Sequence, residues 1–496
     1  VTSNNDAIFV QDKWQPTTRL TFNLEFRAEK ENVPSFAPGL PGIIFNWGSK
    51  PAPRLGVAYD LTGDGKTKVS AFYGWFYDRF KYELPRGSFG GDFYRRDFFD
   101  IIPGRGLVYT NYTYNNILGS HPDPIGGICP GTGAVVAGYG YGTCDVDFRI
   151  PSNSGLGIDV SGSVDPNIKA ARQSEYTFGA ERQMFRDWIF SARYTHKQVD
   201  HAVEDTGSIN STGSEAYIIG NPGEGLACQV YQADGYPCTK AQRTYNAFEI
   251  RADKRFSNHW FLNASYTYSR LYGNYSGLAS SDEAGRTSPN VDRNFDLPYE
   301  PYTFGGKPNN GLLATDRPHV FKAYGGYDFD WNKTNTTEIS FFTTAQSGTP
   351  LTTYANLFAS IAIIVNGRGD LGRTPGVFST DLNIDHKYRF GKDNRLVLQP
   401  FVNVLNLFNR QSEISVVNTD TAATVGSAIL RAGGCPTAQC PNTLASIPLI
   451  FTRSGGVLDY FQNWLNANPS QQYNTYGLAT GWTAPREVRF GARLYF

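Results

Sequence analysis

The chain has 496 residues, with 45 lysine and arginine residues and 45 aspartate and glutamate residues, so its formal net charge is zero. This balance lacks the basic excess that is typical of nucleic-acid-binding proteins, so we expect no nucleic-acid partner. The longest nearly apolar run, Leu357 to Val365, is shorter than the roughly 20 residues that a membrane-spanning helix requires. The remaining candidate classes are a soluble all-β protein and a membrane β-barrel.

Segments with a period of two recur along the chain and predict β-strands with one apolar and one polar face. In RLTFNLEFR, for example, Leu20, Phe22 and Leu24 alternate with polar residues. The same alternation recurs in DWIFSARYTHK, HWFLNASYTYS, STDLNIDHKYRF and the final REVRFGARLYF. These segments are about 9–12 residues long, which is the length that a tilted strand needs to cross a bilayer.

The connections between the predicted strands alternate between short and long. Short polar turns lie at 15–18, 61–67, 184–187, 256–259, 331–335 and 390–394. Long loops lie at about 30–52, 80–172, 198–244, 271–317, 347–376 and 407–485. Outer-membrane barrels have short periplasmic turns and long extracellular loops, whereas a soluble sandwich has no reason to keep this asymmetry. The pattern therefore favours an all-β fold, a transmembrane antiparallel β-barrel.

The number of predicted strands indicates that the barrel has further strands upstream of this sequence. Counting back from the last strand gives about thirteen strands, and the first, Asp6 to Trp14, runs in the same downward direction as the last. Bacterial single-chain barrels have an even number of strands. We therefore expect at least one further strand upstream of Val1, because an open edge in lipid leaves backbone groups unpaired.

Six cysteines lie in the predicted long loops and form three local pairs: Cys129 with Cys144, Cys228 with Cys238, and Cys435 with Cys440. An even number of cysteines on an oxidising side of the membrane predicts disulfides that stiffen the loops. Metal binding is the alternative, although no pair has CxxC spacing and no histidine lies beside a pair. We predict three disulfides and no metal site.

The long loops are candidates for ligand capture because they are rich in aromatic side chains, as in GGDFYRRDFFD and AGYGYGTC. Aromatic rings bind the faces of carbohydrates or peptides at a low entropic cost. The alternative is that loops of this length only seal the top of a wide barrel. The segment VLDYFQNWLN, at 457–466, predicts a short amphipathic helix that packs on neighbouring loops.

Motifs for catalysis or cofactor binding are incomplete or absent in the sequence. DLTGDGKT lacks the first glycine of a phosphate-binding loop and has Ala71 where an EF-hand needs its bidentate acid, so Gly63 and Gly65 are better explained by a tight turn. The HAVED cluster, at 201–205, is interpreted as a solvated rim. No GxSxG or HExxH motif is present, and we predict no enzyme, no catalytic residue and no cofactor.

Several stretches resemble the C-terminal barrel of TonB-dependent outer-membrane receptors, and more narrowly the Oar-like receptors that carry a carboxypeptidase-regulatory-like domain at the N-terminus. The stretches are YNAFEIRADKRFSNHWFLNASYTYSR (245–270), RPHVFKAYGGYDF (317–329), SGTPLTTY (347–354), FVNVLNLFNR (401–410) and PREVRFGARLYF (485–496). Each motif alone has low specificity for this family, but the order and spacing of the motifs together are specific. The resemblance runs from about residue 6 to residue 496.

The resemblance implies a 22-stranded barrel that is filled by an N-terminal plug, with a TonB box that reaches the inner-membrane energy complex. On this interpretation residues 1–496 are the C-terminal part of the barrel. The plug, the regulatory domain and roughly nine strands then lie on an absent N-terminal part or on another chain. The expected location is the cell outer membrane, and the expected partners are membrane lipid or lipopolysaccharide, the TonB complex and the remaining barrel strands.

The expected function is binding of a large ligand, such as an oligosaccharide or a peptide, at the extracellular loops and its import through the barrel. The alternative is a structural or adhesive outer-membrane protein that transports no substrate. A passive porin is a third possibility, which loops of this length disfavour. The sequence assigns no ligand-binding residue.

Two groups of strand residues are singled out as candidate sites. The polar faces predict that the lumen is lined by Arg193, Arg389, Arg489 and Arg493, with solvation of the wall or contact with the plug as alternatives. The resemblance implies that the C-terminal strand is the signal by which outer-membrane barrels are recognised for insertion. Its alternate apolar residues are Phe490, Ala492, Leu494 and Phe496.

Overall fold

The computed structural model describes residues 3–35, 42–80, 95–97, 144–147, 164–209, 215–276, 295, 297–358 and 362–496. Its main element is an antiparallel sheet whose thirteen long strands, β1 to β13, pair in chain order. They are Asn4–Trp14, Leu20–Val33, Pro51–Asp60, Thr67–Tyr77, Arg172–Met184, Trp188–His201, Arg243–Ser257, Trp260–Gly273, His319–Asn332, Asn335–Gln346, Val377–Phe390, Leu396–Leu405 and Glu487–Tyr495. The expected strand number and order are therefore confirmed. The sheet is not closed, because β1 and β13 do not pair with each other.

Short and long connections alternate along the sheet, as the sequence predicts. The short turns are 15–19, 61–66, 185–187, 258–259, 333–334 and 391–395. The long loops are 34–50, 78–171, 202–242, 274–318, 347–376 and 406–486. All short turns lie at one end of the strands, the turn end, and all long loops lie at the other, the loop end. In an outer-membrane barrel the turn end faces the periplasm.

The loops carry short elements of their own. Short strands are Ile43–Phe45, Arg95–Asp97, Cys144–Asp147, Glu204–Ile209, Glu215–Gly220, Gly311–Leu312, Tyr354–Asn356, Ala362–Ile364, Glu413–Val416 and Ala479–Trp482. The α-helices are α1, Gly225–Ala233, α2, Ser427–Ala432, and α3, Leu458–Ala467. Short 3-10 helices are Lys392–Asn394, Leu444–Thr452 and Pro469–Gln471. Within the described residues, none of the helices has the length and apolar character needed to traverse a membrane.

The turn between β3 and β4 shows why its glycines are needed. The Asp60 carboxylate accepts hydrogen bonds from the backbone amides of Gly63 and Gly65, at 2.9 Å each. Both glycines have positive φ, +76° and +73°, which other residues rarely adopt. This geometry supports the tight-turn interpretation of DLTGDGKT.

The outer face of the sheet is apolar and carries aromatic rings near both ends of the strands. At the turn end, the Trp188 ring lies 5.7 Å from Phe190 and 5.9 Å from Trp260 between ring centres. At the loop end, Tyr176 stacks on His196 with 4.5 Å between ring centres. Such aromatic belts mark the two membrane interfaces of an outer-membrane barrel.

Candidate ligand-binding dome and polar wall

Four long loops pack together above the sheet through one hydrophobic cluster, and we call their described residues in 202–242, 274–318, 347–376 and 406–486 the loop dome. The cluster takes buried side chains from all four loops, among them Tyr231, Tyr236, Leu297, Tyr299, Phe304, Leu357, Ile363, Val425, Leu430, Ile447 and Phe461. A shared core of this kind holds loops that are far apart in the chain as one packed unit.

Helix α3 lies inside the loop dome and agrees with the predicted amphipathic helix at 457–466. Its Phe461 and Trp464 are buried. The Phe461 ring lies 5.1 Å from that of Phe304, which belongs to loop 274–318. The amide of Val457 also donates to the carbonyl of Phe304, at 2.8 Å. The helix therefore packs on a neighbouring loop, as the sequence predicts.

Backbone hydrogen bonds join the last loop to loop 347–376. The amide of Tyr354 donates to the carbonyl of Asn418 at 2.9 Å, and the amide of Val425 donates to the carbonyl of Asn356 at 2.8 Å. Because backbone bonds of this kind fix the spacing of two segments, the last loop forms part of the dome wall rather than a free arm.

Glu224 ties three segments together at the base of the dome. Its carboxylate lies 2.7 Å from the ammonium groups of Lys169 and Lys240 and 3.1 Å from Nδ1 of His201. Burial raises the pKa of Glu224, but the hydrogen bonds from Lys169, Lys240 and His201 outweigh it and lower the pKa to about 2. Glu224 is therefore ionised at neutral pH and links loop 78–171 to loop 202–242.

The prediction that HAVED forms a solvated rim is wrong. His201 contacts Glu224, and the Glu204 side chain that follows it is buried with only 1% exposure. The reason is that loop 202–242 folds back over these residues, with Glu204–Ile209 paired to Glu215–Gly220. A motif read as surface charge is thus part of the packed base of the dome.

The cysteines behave differently from pair to pair. Cys228 and Cys238 form a disulfide that spans α1 and the segment after it, as the sequence predicts. Cys435 and Cys440 are both buried free thiols in the structure. Burial and the hydrogen bond with Cys440 raise the pKa of Cys435 to about 12, so this thiol is protonated. A bond between these two cysteines stays a prediction. Cys129 and the side chain of Cys144 lie outside the described residues.

Arg373 anchors the dome to the loop end of the sheet. Its guanidinium pairs with the buried carboxylate of Asp316 and donates to the carbonyls of Asp316 and Gly348, at 2.9 and 3.0 Å. Asp316 also accepts a hydrogen bond from the amide of Leu271, at 2.6 Å. Loops 274–318 and 347–376 are thereby fixed to β8.

The polar face of the sheet, which we call the polar wall, carries the four arginines that the sequence singles out. Arg193 on β6 pairs with Glu249 on β7 at 3.1 Å. Arg389 on β11 donates to the hydroxyl of Thr336 on β10 at 3.4 Å. These contacts cross from strand to strand, so each side chain lies against the wall.

The other two arginines lie on β13. Arg489 pairs with Glu487 at 2.7 Å, and the guanidinium carbon of Arg493 lies 4.7 Å from the ring centre of Phe401. The four arginines are therefore spread over β6, β11 and β13 and are not brought together into one site. Their role as lumen-lining residues stays a prediction.

A polar network across β10, β11 and β12 was not anticipated from the sequence. Lys387 pairs with Glu338 at 3.2 Å, and the Gln399 amide donates to the buried carboxylate of Asp385 at 2.7 Å. Strand register determines these neighbours, and period-two alternation alone does not reveal register. Among the residues that the structure describes, no group of three or more His, Cys, Asp and Glu side chains is placed to hold a metal ion.

The antiparallel sheet, the aromatic belts and the alternating short turns and long loops define the chain as an outer-membrane β-barrel protein. Residues 1–363 match the family described as outer membrane beta barrel domain, and the chain belongs to this family. It therefore lies in the cell outer membrane.

One relative and several solved structures are similar to the chain. The TonB-dependent transporter Oar of Myxococcus xanthus is 28% identical over 519 residues, which cover 100% of this chain and 43% of that protein. The chain thus spans less than half the length of this relative. The outer membrane transporter YddB from Escherichia coli aligns with 10% identity and a TM-score of 0.44, over 85% of this chain and 43% of its own. The ferric yersiniabactin uptake receptor FyuA from Yersinia pestis aligns with 10% identity and a TM-score of 0.38, over 84% and 42%.

Proposed function

We propose that this chain is the C-terminal barrel part of a TonB-dependent receptor, which binds a large ligand at the loop dome and imports it along the polar wall. The observation that carries the proposal is the loop dome itself, because four loops share one hydrophobic cluster on the extracellular side of a membrane barrel. The sequence similarity to a TonB-dependent transporter supports import as the proposed activity. This relative is a transporter, and the proposed activity is accordingly not enzymatic.

The dome suits a ligand-binding role because it is preorganised. The Cys228–Cys238 disulfide, the Glu224 junction and the α3 packing limit the freedom of the loops before any ligand arrives. Preorganisation lowers the entropic cost of binding. Aromatic side chains that remain exposed on the last loop, such as Tyr473 and Trp482, then supply contact area for an oligosaccharide or a peptide.

The polar wall supplies a hydrated route below the dome. Cross-strand pairs such as Arg193 with Glu249 and Lys197 with Glu175 place both signs of charge on neighbouring strands. Mixed charge of this kind keeps the lumen hydrated without trapping a ligand of either sign, because the cations of these pairs have their anions beside them. In the proposed protein, a plug outside this chain rests against the wall, and TonB displaces it.

A structural or adhesive outer-membrane protein is the second candidate. The observation that favours it is that the interior of the dome is filled by its own side chains, including Phe304, Phe451 and Phe461. Such a dome presents a stable outer surface to a partner without opening a passage.

Uptake in cells separates the two candidates. Cells that express the full-length protein are given fluorescent oligosaccharides and peptides, in the presence and absence of TonB. We expect surface binding in both strains and accumulation in the periplasm only with TonB, and we expect Trp482→Ala to weaken binding several-fold. Binding without accumulation in the TonB-containing strain would support the adhesive protein and reject transport.

A further inference from the structure

The apolar face of the sheet carries a groove of about 550 Å³ that crosses β5 to β8. Its floor consists of one alanine from each strand, Ala180, Ala192, Ala252 and Ala264. Ala180 pairs with Ala192 and Ala252 pairs with Ala264 across neighbouring strands. Its walls are larger side chains, Phe190, Ile250 and Phe321.

This groove is shaped to take a hydrocarbon chain. Small side chains let a neighbouring chain approach the backbone closely, and the flanking rings add contacts along both sides. An acyl chain in the groove therefore gains more dispersion contacts than one that lies on the rest of the apolar face. The floor lies on the face that meets lipid, because Phe190 and Ile250 occupy the outward positions of β6 and β7.

Arg182 lies at the turn end of the groove and has no acidic partner among the residues that the structure describes. It pairs in register with Thr67 and with Phe190, which places its side chain on the apolar face. Its Nη1 donates to the hydroxyl of Thr67 at 3.1 Å, and no ion pair joins it to a carboxylate in the described part of the chain. A guanidinium on the lipid face is costly at the bilayer centre and much less costly near the interface.

The depth of Arg182 matches the interface at the turn end. Met184 follows it on the same face and pairs with Trp188, which belongs to the aromatic belt. A long arginine side chain reaches from this depth toward the headgroups. Lipid phosphate is the anion available there, and guanidinium binds phosphate through two parallel hydrogen bonds.

We propose that this groove binds a phospholipid of the periplasmic leaflet, with an acyl chain on the alanine floor and the phosphate on Arg182. The arginine at the turn end of the groove, and the lack of a free cation at its other end in the described residues, favour this leaflet. At the opposite end Tyr266 bonds to Nδ1 of His319 at 2.7 Å, and no lysine lines the groove. The second arginine along it, Arg251, directs its guanidinium to the polar wall, where it pairs with Asp253 at 2.7 Å.

Native mass spectrometry of the full-length protein in detergent tests the proposal, with palmitoyl-oleoyl phosphatidylglycerol as the probe. We expect one retained phospholipid per protein and a loss of apparent affinity of about tenfold in Arg182→Gln. Arg182→Lys should keep part of the affinity, because it retains the charge without the planar fork. Arg251→Gln is the matched control, since it removes the same charge from the opposite face, and its lipid retention should be unchanged.

A second pair of measurements separates the phosphate from the acyl chain. Diacylglycerol with the same chains should bind about tenfold more weakly than the phospholipid, and Ala252→Phe should reduce retention by filling the floor. Heat-modifiable migration on gels verifies that each variant is folded. Equal retention by wild type and Arg182→Gln, equal binding of diacylglycerol, or preferential binding of lipopolysaccharide would each overturn the proposal.

Discussion

Glu31 and Lys50 form an ion pair in which both side chains are fully buried, at the loop end of β2. Glu31 also accepts a hydrogen bond from the amide of Phe80 at 3.1 Å, and Lys50 donates to the carbonyl of Asp78 at 3.3 Å. The Lys50 ammonium lies 5.1 Å from the ring centre of Phe45. The pair thus joins β2, loop 34–50 and the chain beyond β4.

Removing one partner of this pair should destabilise the protein strongly. Glu31→Ala or Lys50→Ala leaves an uncompensated charge in a buried site, and we expect a loss of about 3–5 kcal/mol in the free energy of unfolding. The double variant Glu31→Leu with Lys50→Met should recover much of that loss, because no charge remains. Unfolding of the full-length protein in urea, followed by tryptophan fluorescence, measures these differences.

The exposed pair between Lys66 and Asp64 is the matched control, with 3.7 Å between ammonium and carboxylate. Water and salt screen such a pair, so Lys66→Ala should change stability by less than about 1 kcal/mol. A similar loss from Lys66→Ala and Lys50→Ala would contradict the assigned importance of the buried pair.

The Glu224 junction should make stability depend on pH in the acid range. The folded-state pKa of Glu224 is about 2, below its ordinary value of 4.5. The unfolded state therefore binds the proton first, so the stabilisation is complete above pH 4.5, declines as the pH falls and is lost below pH 2. The lowered pKa corresponds to at most about 3.4 kcal/mol, and screening of the partly exposed lysines reduces it to about 1–2 kcal/mol.

Comparison of wild type with Glu224→Gln tests this window. The wild type should have the higher thermal midpoint at pH 7, and the two midpoints should converge near pH 2, where Glu224 is half protonated. Glu413→Gln is the control, because it alters an exposed carboxylate of the last loop. Its thermal midpoint should equal that of the wild type at every pH. A constant gap between wild type and Glu224→Gln from pH 7 to pH 2 would exclude a titrating junction.

Period-two alternation was sufficient to predict the strands, because the face of a strand residue depends only on its neighbours in sequence. Phe490 and Leu494, for example, pair in register with Val402 and Leu398 on β12. The dome depends on contacts between distant segments, such as Phe304 with Phe461 and Lys169 with Glu224, and no local pattern encodes those pairings. The same limit explains why the sequence does not predict α1 and why it predicts a solvated rim at Glu204, which is buried.

The redox state of the loop cysteines is open to direct measurement by alkylation. When the full-length protein is unfolded without reductant and alkylated, Cys228 and Cys238 should remain unmodified because they are bonded to each other. We predict the same for Cys435 and Cys440 in protein from the oxidising side of the membrane. Peptide mass spectrometry reads each pair separately. Alkylation of both Cys435 and Cys440 would instead show two free thiols, as in the structure.

The C-terminal strand should govern insertion of the barrel more than its stability. Phe496 is 99% exposed and makes little contact within the protein, whereas Val488 and Phe490 pair with Val404 and Val402 on β12. If Phe496 belongs to the insertion signal, its replacement by serine should lower the amount of protein in the outer membrane several-fold. The thermal stability of the inserted fraction should stay the same, because little packing is lost.

Tyr495→Ser, one residue earlier on the opposite face, is the control and should be inserted normally. Normal levels of Phe496→Ser in outer-membrane fractions would refute the assignment of Phe496 to the signal.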